Sequence, residues 1–206
     1  MRVIGNRTAV SLENGFQTRE ADGNLYIEGY FAVYGSKYWL WDEAYETIEP
    51  GAFDGQTEGD VRALINHDTG LVLGRTTAGT LELRTDEKGL WGRIHINPND
   101  QDAMNCYERV KRGDVSQCSF GFDIVEQDVE YAEGQPTAWK IKAVKLYEVS
   151  VVTFPAYEDT SVEARKADAE NIRKRENEAW REKMKNHETP NTVSYTHLTL
   201  PTTSRV

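Results

Sequence analysis

Short apolar segments follow one another at close spacing between residues 61 and 96. Four of them have the length and composition of strands: Val61–Asn66, Val72–Arg75, Gly79–Arg84 and Leu90–Ile96. Turn-forming residues separate them at Asp68-Thr69-Gly70 and Asp86-Glu87-Lys88-Gly89. This spacing predicts a mostly β domain with little room for helices.

The flanking sequence extends this prediction. Further strands are expected at Val3–Val10, Asn24–Tyr34, Gln117–Val125 and Ala138–Phe154. Residues 35–49, rich in aromatic and acidic side chains, are predicted to form a loop. One helix is expected at Asn99–Arg112, capped by Asn99 or Asp100 and ended by Gly113. The pattern predicts an α+β fold that is mostly β, arranged as a barrel or sandwich.

The composition bounds the class of protein. The chain has 206 residues, 38% of them hydrophobic, and it contains no apolar run of membrane-spanning length. The first 15 residues lack the apolar core of a signal peptide. Cys106 and Cys118 have no paired spacing and are expected to be reduced thiols of a cytoplasmic protein. The formal net charge of −10 argues against nucleic acid as the main partner.

The amino-acid composition of the chain changes near residue 160. We expect a compact domain over residues 1–160 and a charged helical or flexible arm over residues 161–190, where Ala, Glu, Lys and Arg dominate. Residues 191–206 share no composition with the rest of the chain. We interpret them as translated sequencing-adaptor read-through, an artefactual unstructured tail in place of the natural C-terminus.

Three segments each place one chemically capable side chain in or beside an apolar strand. His67 follows Val61–Asn66, Ser119 precedes Phe120-Gly121-Phe122, and Glu148 opens an apolar run that leads to Pro155. A histidine, a serine and a carboxylate are the parts of a base-activated nucleophile. Together they indicate a hydrolase.

Each of these residues also has a plain structural interpretation. His67 is equally compatible with a turn histidine bonded to the backbone that follows it, and Ser119 with a buried serine bonded to its own strand. Glu148 needs a partner, either His67 or a basic residue such as Lys145. Ser116 and Cys118 compete with Ser119 as nucleophile, but alternation directs Cys118 to the opposite face of the strand from Ser119.

Motifs for metals and nucleotides are missing from the sequence. It contains no H-E-x-x-H, no H-x-H, no cysteine pair and no glycine-rich phosphate loop. We therefore expect neither a cofactor nor a metal.

The segments together resemble the prohead (capsid maturation) protease family of tailed bacteriophages. The resemblance covers residues 1–160 and rests on the order and spacing of short motifs: Leu25–Val33, Glu49-Pro50-Gly51-Ala52-Phe53, Val61–Asp68, Gly74, Gly89-Leu90-Trp91, Val110–Gly113, Ser119–Phe122 and Leu146–Ala156.

The resemblance implies a serine endopeptidase with a fold similar to herpesvirus assemblin, a β-barrel wrapped by a few helices. It implies His67 as general base, Ser119 as nucleophile and Glu148 as the residue that orients the base. The implied substrates are the scaffolding part of the capsid precursor and the protease itself. The implied setting is the assembling prohead in the host cytoplasm, and by analogy with assemblin we expect a dimer.

Three rival interpretations stay open at this point. The first is a non-catalytic capsid-assembly module that binds scaffold through the aromatic segment Tyr38–Tyr45. The second is a thiol enzyme that uses Cys118 with His67. The third is a structural domain in which His67 and Ser119 are ordinary strand-end residues.

Overall fold

The computed structural model describes residues 4–9, 16–154 and 159–187. Its elements in chain order are β1 (Ile4–Ala9), β2 (Gln17–Ala21), β3 (Asn24–Val33), β4 (Tyr38–Trp41), β5 (Ala44–Ile48), β6 (Arg62–Ile65), β7 (Asp68–Arg75), a 3-10 turn (Thr76–Ala78), β8 (Leu81–Thr85), β9 (Gly89–Ile96), α1 (Gln101–Arg112), β10 (Gln117–Glu130), β11 (Thr137–Val152) and α2 (Asp159–His187). The expected tail at 191–206 lies outside the described residues.

The described strands form two sheets. The first has seven strands in the order β1-β10-β11-β5-β4, with β6 paired to β11 and β7 paired to β6. The second has four strands in the order β2-β3-β9-β8. The α+β, mostly β prediction is therefore confirmed, whereas the described strands do not close into one barrel.

Strand β11 organises the first sheet. Its whole length pairs with β10 in an antiparallel hairpin, while its other edge pairs in parallel with β5 near its start and with β6 near its end. Ser150 of β11 is thus opposite Ser119 of β10 on one side and Leu64 of β6 on the other. Residues far apart in sequence meet at this end of the sheet because the long strand β11 pairs with β10 along one edge and with β6 along the other.

The hydrophobic core fixes the orientation of β10. Phe120 and Phe122 are fully buried and their rings stack with centroids 4.9 Å apart, while Phe53 meets Phe120 edge to face at 5.5 Å. Because side chains alternate along a strand, Ser119 and Gly121 lie on the other face of β10.

Helix α1 follows the sequence prediction closely. The side chain of Asp100 accepts hydrogen bonds from the amides of Asp102 and Ala103, and Gly113 ends the helix with a φ of 86°. A side-chain oxygen at the N-cap and a left-handed glycine at the C-terminus satisfy backbone groups that a helix end leaves unpaired.

Three local predictions were wrong. The segment 35–49 contains strands β4 and β5 instead of one loop, and β2 was not anticipated. Asp68-Thr69-Gly70 belongs to β7, because the turn lies one step earlier at Asn66-His67. The segments of β2, β4 and β5 have a weak apolar pattern of their own. They form strands through backbone pairing, β5 with β11 and β4, and β2 with β3.

The chain divides into two compact units, Met1–Ala167 and Asp168–Val206, and the helix α2 runs through the boundary. Within the first unit, Arg165 of α2 is buried, and its guanidinium donates to Glu46 Oε1 at 2.8 Å and to Gln127 Oε1 at 2.8 Å. The guanidinium also lies 5.0 Å from the ring centroid of Trp139. Arg165, which lies within the predicted arm, is therefore integrated into the first unit.

Candidate active site

His67 sits in a strained two-residue turn between β6 and β7. Ile65 and Asp68 pair across the turn, and the two central residues, Asn66 and His67, have φ values of 51° and 62°. Two successive positive φ values are the requirement of a type I′ hairpin turn, which normally carries Asn-Gly or Asp-Gly. A histidine in this conformation costs roughly 1–2 kcal/mol relative to glycine.

Strand β11 holds this turn from the side. The amide of Asn66 donates to the carbonyl of Val151 at 2.9 Å, and Asn66 Oδ1 accepts from the amide of Thr153 at 2.9 Å. The amide of His67 donates to Ser150 Oγ at 3.2 Å. These bonds explain how the turn keeps its conformation without a glycine.

The imidazole of His67 contacts the carboxylate of Glu148. Nδ1 lies 2.7 Å from Glu148 Oε1, and both side chains are mostly buried, 15% and 13% exposed. Because an ionised carboxylate only accepts hydrogen bonds, this contact puts the imidazole proton on Nδ1. The other ring nitrogen, Nε2, is buried and has no hydrogen-bond partner within the described residues. Nε2 is thereby the nitrogen left to accept a proton.

Ser150 contacts both His67 and Glu148, and the sequence analysis did not select it as a candidate. Its hydroxyl donates to Glu148 Oε2 at 2.6 Å while accepting from the amide of His67. The signal was present in the sequence, since residues 148 and 150 of one strand share a face. The immediate neighbours of Ser150, two valines, gave no indication of a functional role.

Ser119 lies on the neighbouring strand, directly opposite Ser150 and on the same face of the sheet. It is fully buried. Since His67 Nε2 has no hydrogen-bond partner within the described residues, Ser119 is not hydrogen-bonded to that nitrogen in this structure. The structure thus brings His67 and Glu148 into contact and puts Ser119 one strand away from Glu148.

The other sequence candidates lie elsewhere. Cys118 is fully buried on the core face, where its thiol donates to the carbonyl of Tyr30 at 3.1 Å. Ser116 is exposed in the segment before β10. Lys145 does not pair with Glu148 and instead lies over the ring of Tyr147, 5.2 Å from its centroid.

The arrangement suits acid–base chemistry at a hydroxyl. A carboxylate that orients an imidazole through Nδ1, with Nε2 free, is the geometry that lets a histidine deprotonate a serine. No cluster of three or more metal-binding side chains occurs within the described residues. No helix in the described part of the chain is long and apolar enough to span a membrane.

A sequence model of the caudovirus prohead serine protease family matches residues 14–175. The chain belongs to this family. The prohead protease of Enterobacteria phage HK97 is 32% identical over 145 residues, which cover 68% of this chain. They cover 61% of that relative, so the chain spans about three-fifths of its length.

Among solved structures, the bacteriophage T4 capsid assembly protease gp21 resembles the chain at 10% sequence identity with a TM-score of 0.40. The superposition covers 74% of this chain and 96% of gp21.

Proposed function

We propose that this chain is a serine endopeptidase in which Ser119 is the nucleophile, His67 the general base and Glu148 the residue that orients the base. The observation that carries the proposal is the 2.7 Å contact of His67 Nδ1 with Glu148, which leaves Nε2 unpartnered within the described residues. Membership of the prohead serine protease family supports the same chemistry.

The reaction proceeds by acyl transfer. Ser119 Oγ attacks the carbonyl carbon of the scissile bond and His67 Nε2 takes the hydroxyl proton. Nε2 then returns that proton to the leaving amine as the C–N bond breaks. Water then attacks the ester carbonyl while His67 Nε2 takes its proton, and Nε2 returns that proton to Ser119 Oγ as the C–O bond breaks and the acid product leaves. Glu148 stabilises the imidazolium that exists between these transfers.

The proposed substrate is the scaffolding portion of the phage capsid precursor, together with the protease itself. The name of the family and that of its HK97 relative support this choice. The proposed place of action is the assembling prohead in the host cytoplasm. Neither nucleic acid nor membrane is part of the proposal.

Finer points of architecture belong to the same proposal. We regard the two sheets as an opened relative of the assemblin-like barrel, with residues 1–160 as the protease domain and residues 161–190 as its arm. Self-association as a dimer is proposed by analogy with assemblin.

Co-expression with the cognate capsid precursor tests the proposal. We expect the wild-type chain to shorten the precursor and Ser119→Ala to leave it intact, a loss of at least about 10³-fold in processing rate. Two control variants, Cys118→Ala and Ser116→Ala, should still process the precursor. The Cys118 thiol faces the core, and the Ser116 side chain is exposed in the segment before β10.

Two outcomes would contradict the proposal. Processing that survives Ser119→Ala assigns the nucleophile elsewhere. A precursor that wild type binds but leaves uncut under assembly conditions favours a scaffold-binding module instead. The segment that such a module would use contains the half-exposed Trp39 and Tyr45, beside a pocket of about 460 Å³.

A further inference from the structure

One hydroxyl connects the two residues that would move the proton. Ser150 Oγ donates to Glu148 Oε2 at 2.6 Å and accepts from the backbone amide of His67 at 3.2 Å. Ser150 itself is fully buried. A serine hydroxyl has a single proton to donate, and here that proton is committed to the carboxylate.

The bond to Oε2 fixes the rotation of the Glu148 carboxylate. Oε1 faces His67 Nδ1 at 2.7 Å, so both oxygens have a donor and the plane of the group is determined. Hydrogen bonds to a charged acceptor are short and about twice as strong as neutral ones. Without the hydroxyl, the carboxylate would keep only one anchor and would be free to turn away from Nδ1.

The bond from the His67 amide acts on the other partner. His67 has a φ of 62°, a conformation that a histidine rarely adopts without external support. Its amide has Ser150 Oγ as acceptor, so the backbone of the base is tied to the same atom that orients the carboxylate. The Ser150 side chain therefore positions both partners of the Nδ1–Oε1 contact: His67 through its backbone amide, and Glu148 through Oε2.

A purely structural role explains this serine poorly. It lies between Val149 and Val151 in a fully buried stretch, where an apolar side chain would avoid the desolvation of a hydroxyl. The register that places Ser150 opposite Ser119 also puts it at the centre of the site.

We propose that Ser150 is a positioning residue for the serine protease reaction: it holds the Glu148 carboxylate and the His67 backbone in the arrangement that keeps the imidazole proton on Nδ1. This inference rests on the proposed function, since the reaction that it serves is the one assigned above to His67, Ser119 and Glu148.

The first test compares Ser150→Ala with Ser116→Ala, an exposed serine that serves as matched control. On a peptide spanning the cleavage site, we expect kcat to fall about 10- to 100-fold in Ser150→Ala with KM unchanged, because an orienting contact rather than a substrate contact is lost. Ser116→Ala should match wild type in both constants. Ser150→Cys keeps the volume but offers a weak donor, and its kcat should fall between the two.

The second test reads the imidazole directly and does not depend on activity. Nitrogen-15 spectra of the histidine rings are recorded in Ser119→Ala and in Ser119→Ala/Ser150→Ala. We expect His67 to be protonated on Nδ1 in the first protein and to show a mixture of tautomers in the second.

The outcomes separate this inference from the function on which it rests. An unchanged His67 tautomer overturns the role of Ser150, whatever the activity of the enzyme. A kcat loss in Ser150→Ala as large as that of Ser119→Ala, with an unchanged tautomer, also overturns it and makes Ser150 a candidate nucleophile. A shifted tautomer together with a fully active Ser119→Ala enzyme would uphold the positioning contact and refute the proposed function instead.

Discussion

Two tight turns of this chain both have positive φ at their two central residues but carry different residues. Asp22 and Gly23 connect β2 to β3 with φ values of 52° and 77°, and Asn66 and His67 connect β6 to β7 with φ values of 51° and 62°. In the first turn, the local sequence satisfies the requirement for positive φ with a glycine. In the second, a histidine stands in the corresponding position.

The difference indicates how backbone strain can point to a candidate site residue. The Asp22-Gly23 turn has a glycine at its second positive-φ position, which removes the steric cost of that conformation, and a Cβ added at Gly23 would meet no atom within 4 Å. The Asn66-His67 turn is held by three hydrogen bonds, two to β11 and one to Thr153 directly after it. Strained residues that tertiary contacts support cluster at functional sites, which agrees with the role proposed for His67.

The largest effect should come from removing the imidazole. His67→Ala and His67→Gly should both lose at least about 10³-fold in activity, because no base remains for Ser119. Their stabilities should differ, with the glycine variant more stable by about 1 kcal/mol since only it tolerates positive φ. Urea unfolding of the two variants measures this difference.

The first turn supplies the matched control for that pair. Gly23→Ala should lose about 1 kcal/mol of stability for the same conformational reason, with unchanged processing of the precursor. Equal stability of the two His67 variants would show that the catalytic turn is not strained, and the comparison would fail.

An intermediate effect is expected at the residue that precedes the base. Asn66→Ala removes both a side chain that tolerates positive φ and the acceptor for the amide of Thr153. We expect a loss of about 2 kcal/mol in the free energy of unfolding and a fall in activity of about 10-fold as His67 shifts. Asp22→Ala, at the same position of the other turn, should leave activity unaltered. An Asn66→Ala enzyme with wild-type kcat would contradict this prediction, because it would show that destabilising the turn does not impair catalysis.

The smallest effect concerns the open end of the β6–β7 hairpin. Asp60 precedes β6 and accepts from Arg75 Nε at 2.6 Å and from Nη2 at 2.7 Å, which holds the pKa of Asp60 well below its usual range. A lowered folded-state pKa stabilises the protein above the unfolded pKa of about 4, and this contribution disappears as the pH falls further. The stability difference between wild type and Asp60→Asn should therefore shrink between pH 5 and pH 2.

Thermal unfolding across this pH range provides the measurement. Glu87→Gln, at an exposed position of the β8–β9 turn, is the control for loss of one negative charge. A difference between wild type and Asp60→Asn that grows on acidification would contradict the assigned role of the ion pair.

The sequence pattern selected two residues that the structure brings into contact, His67 and Glu148, whereas its predictions for the sheet contained errors. His67, Ser119 and Glu148 were chosen because each interrupts or ends an apolar strand, and that pattern is local. The position of the turn at Asn66-His67 was missed because Gly70 is a stronger turn signal than a histidine. The conformation of His67 depends on Ser150, Val151 and Thr153, which no local pattern connects to it.

Long-range partners also explain the errors in the fold. The segment 35–49 resembled a loop because acidic residues break its apolar pattern, yet Glu46 is fully buried in β5. Its partner, Arg165, lies 119 residues further along the chain. Burial of such a pair depends on the folded context of both residues. By contrast, helix α1 was predicted well, since its capping residues Asp100 and Gly113 are adjacent to it.

The most direct measurement uses a phosphonylating reagent that reacts with serine. The reagent is added to a preparation that processes the capsid precursor, and the residue that it modifies is identified. Mass spectrometry of peptides from wild type and from His67→Gly would locate the added group. The account predicts modification of Ser119 in wild type and at least about 10³-fold slower modification in His67→Gly. Modification of Ser150 or another residue, or equal labelling of Ser119 in both proteins, would contradict it.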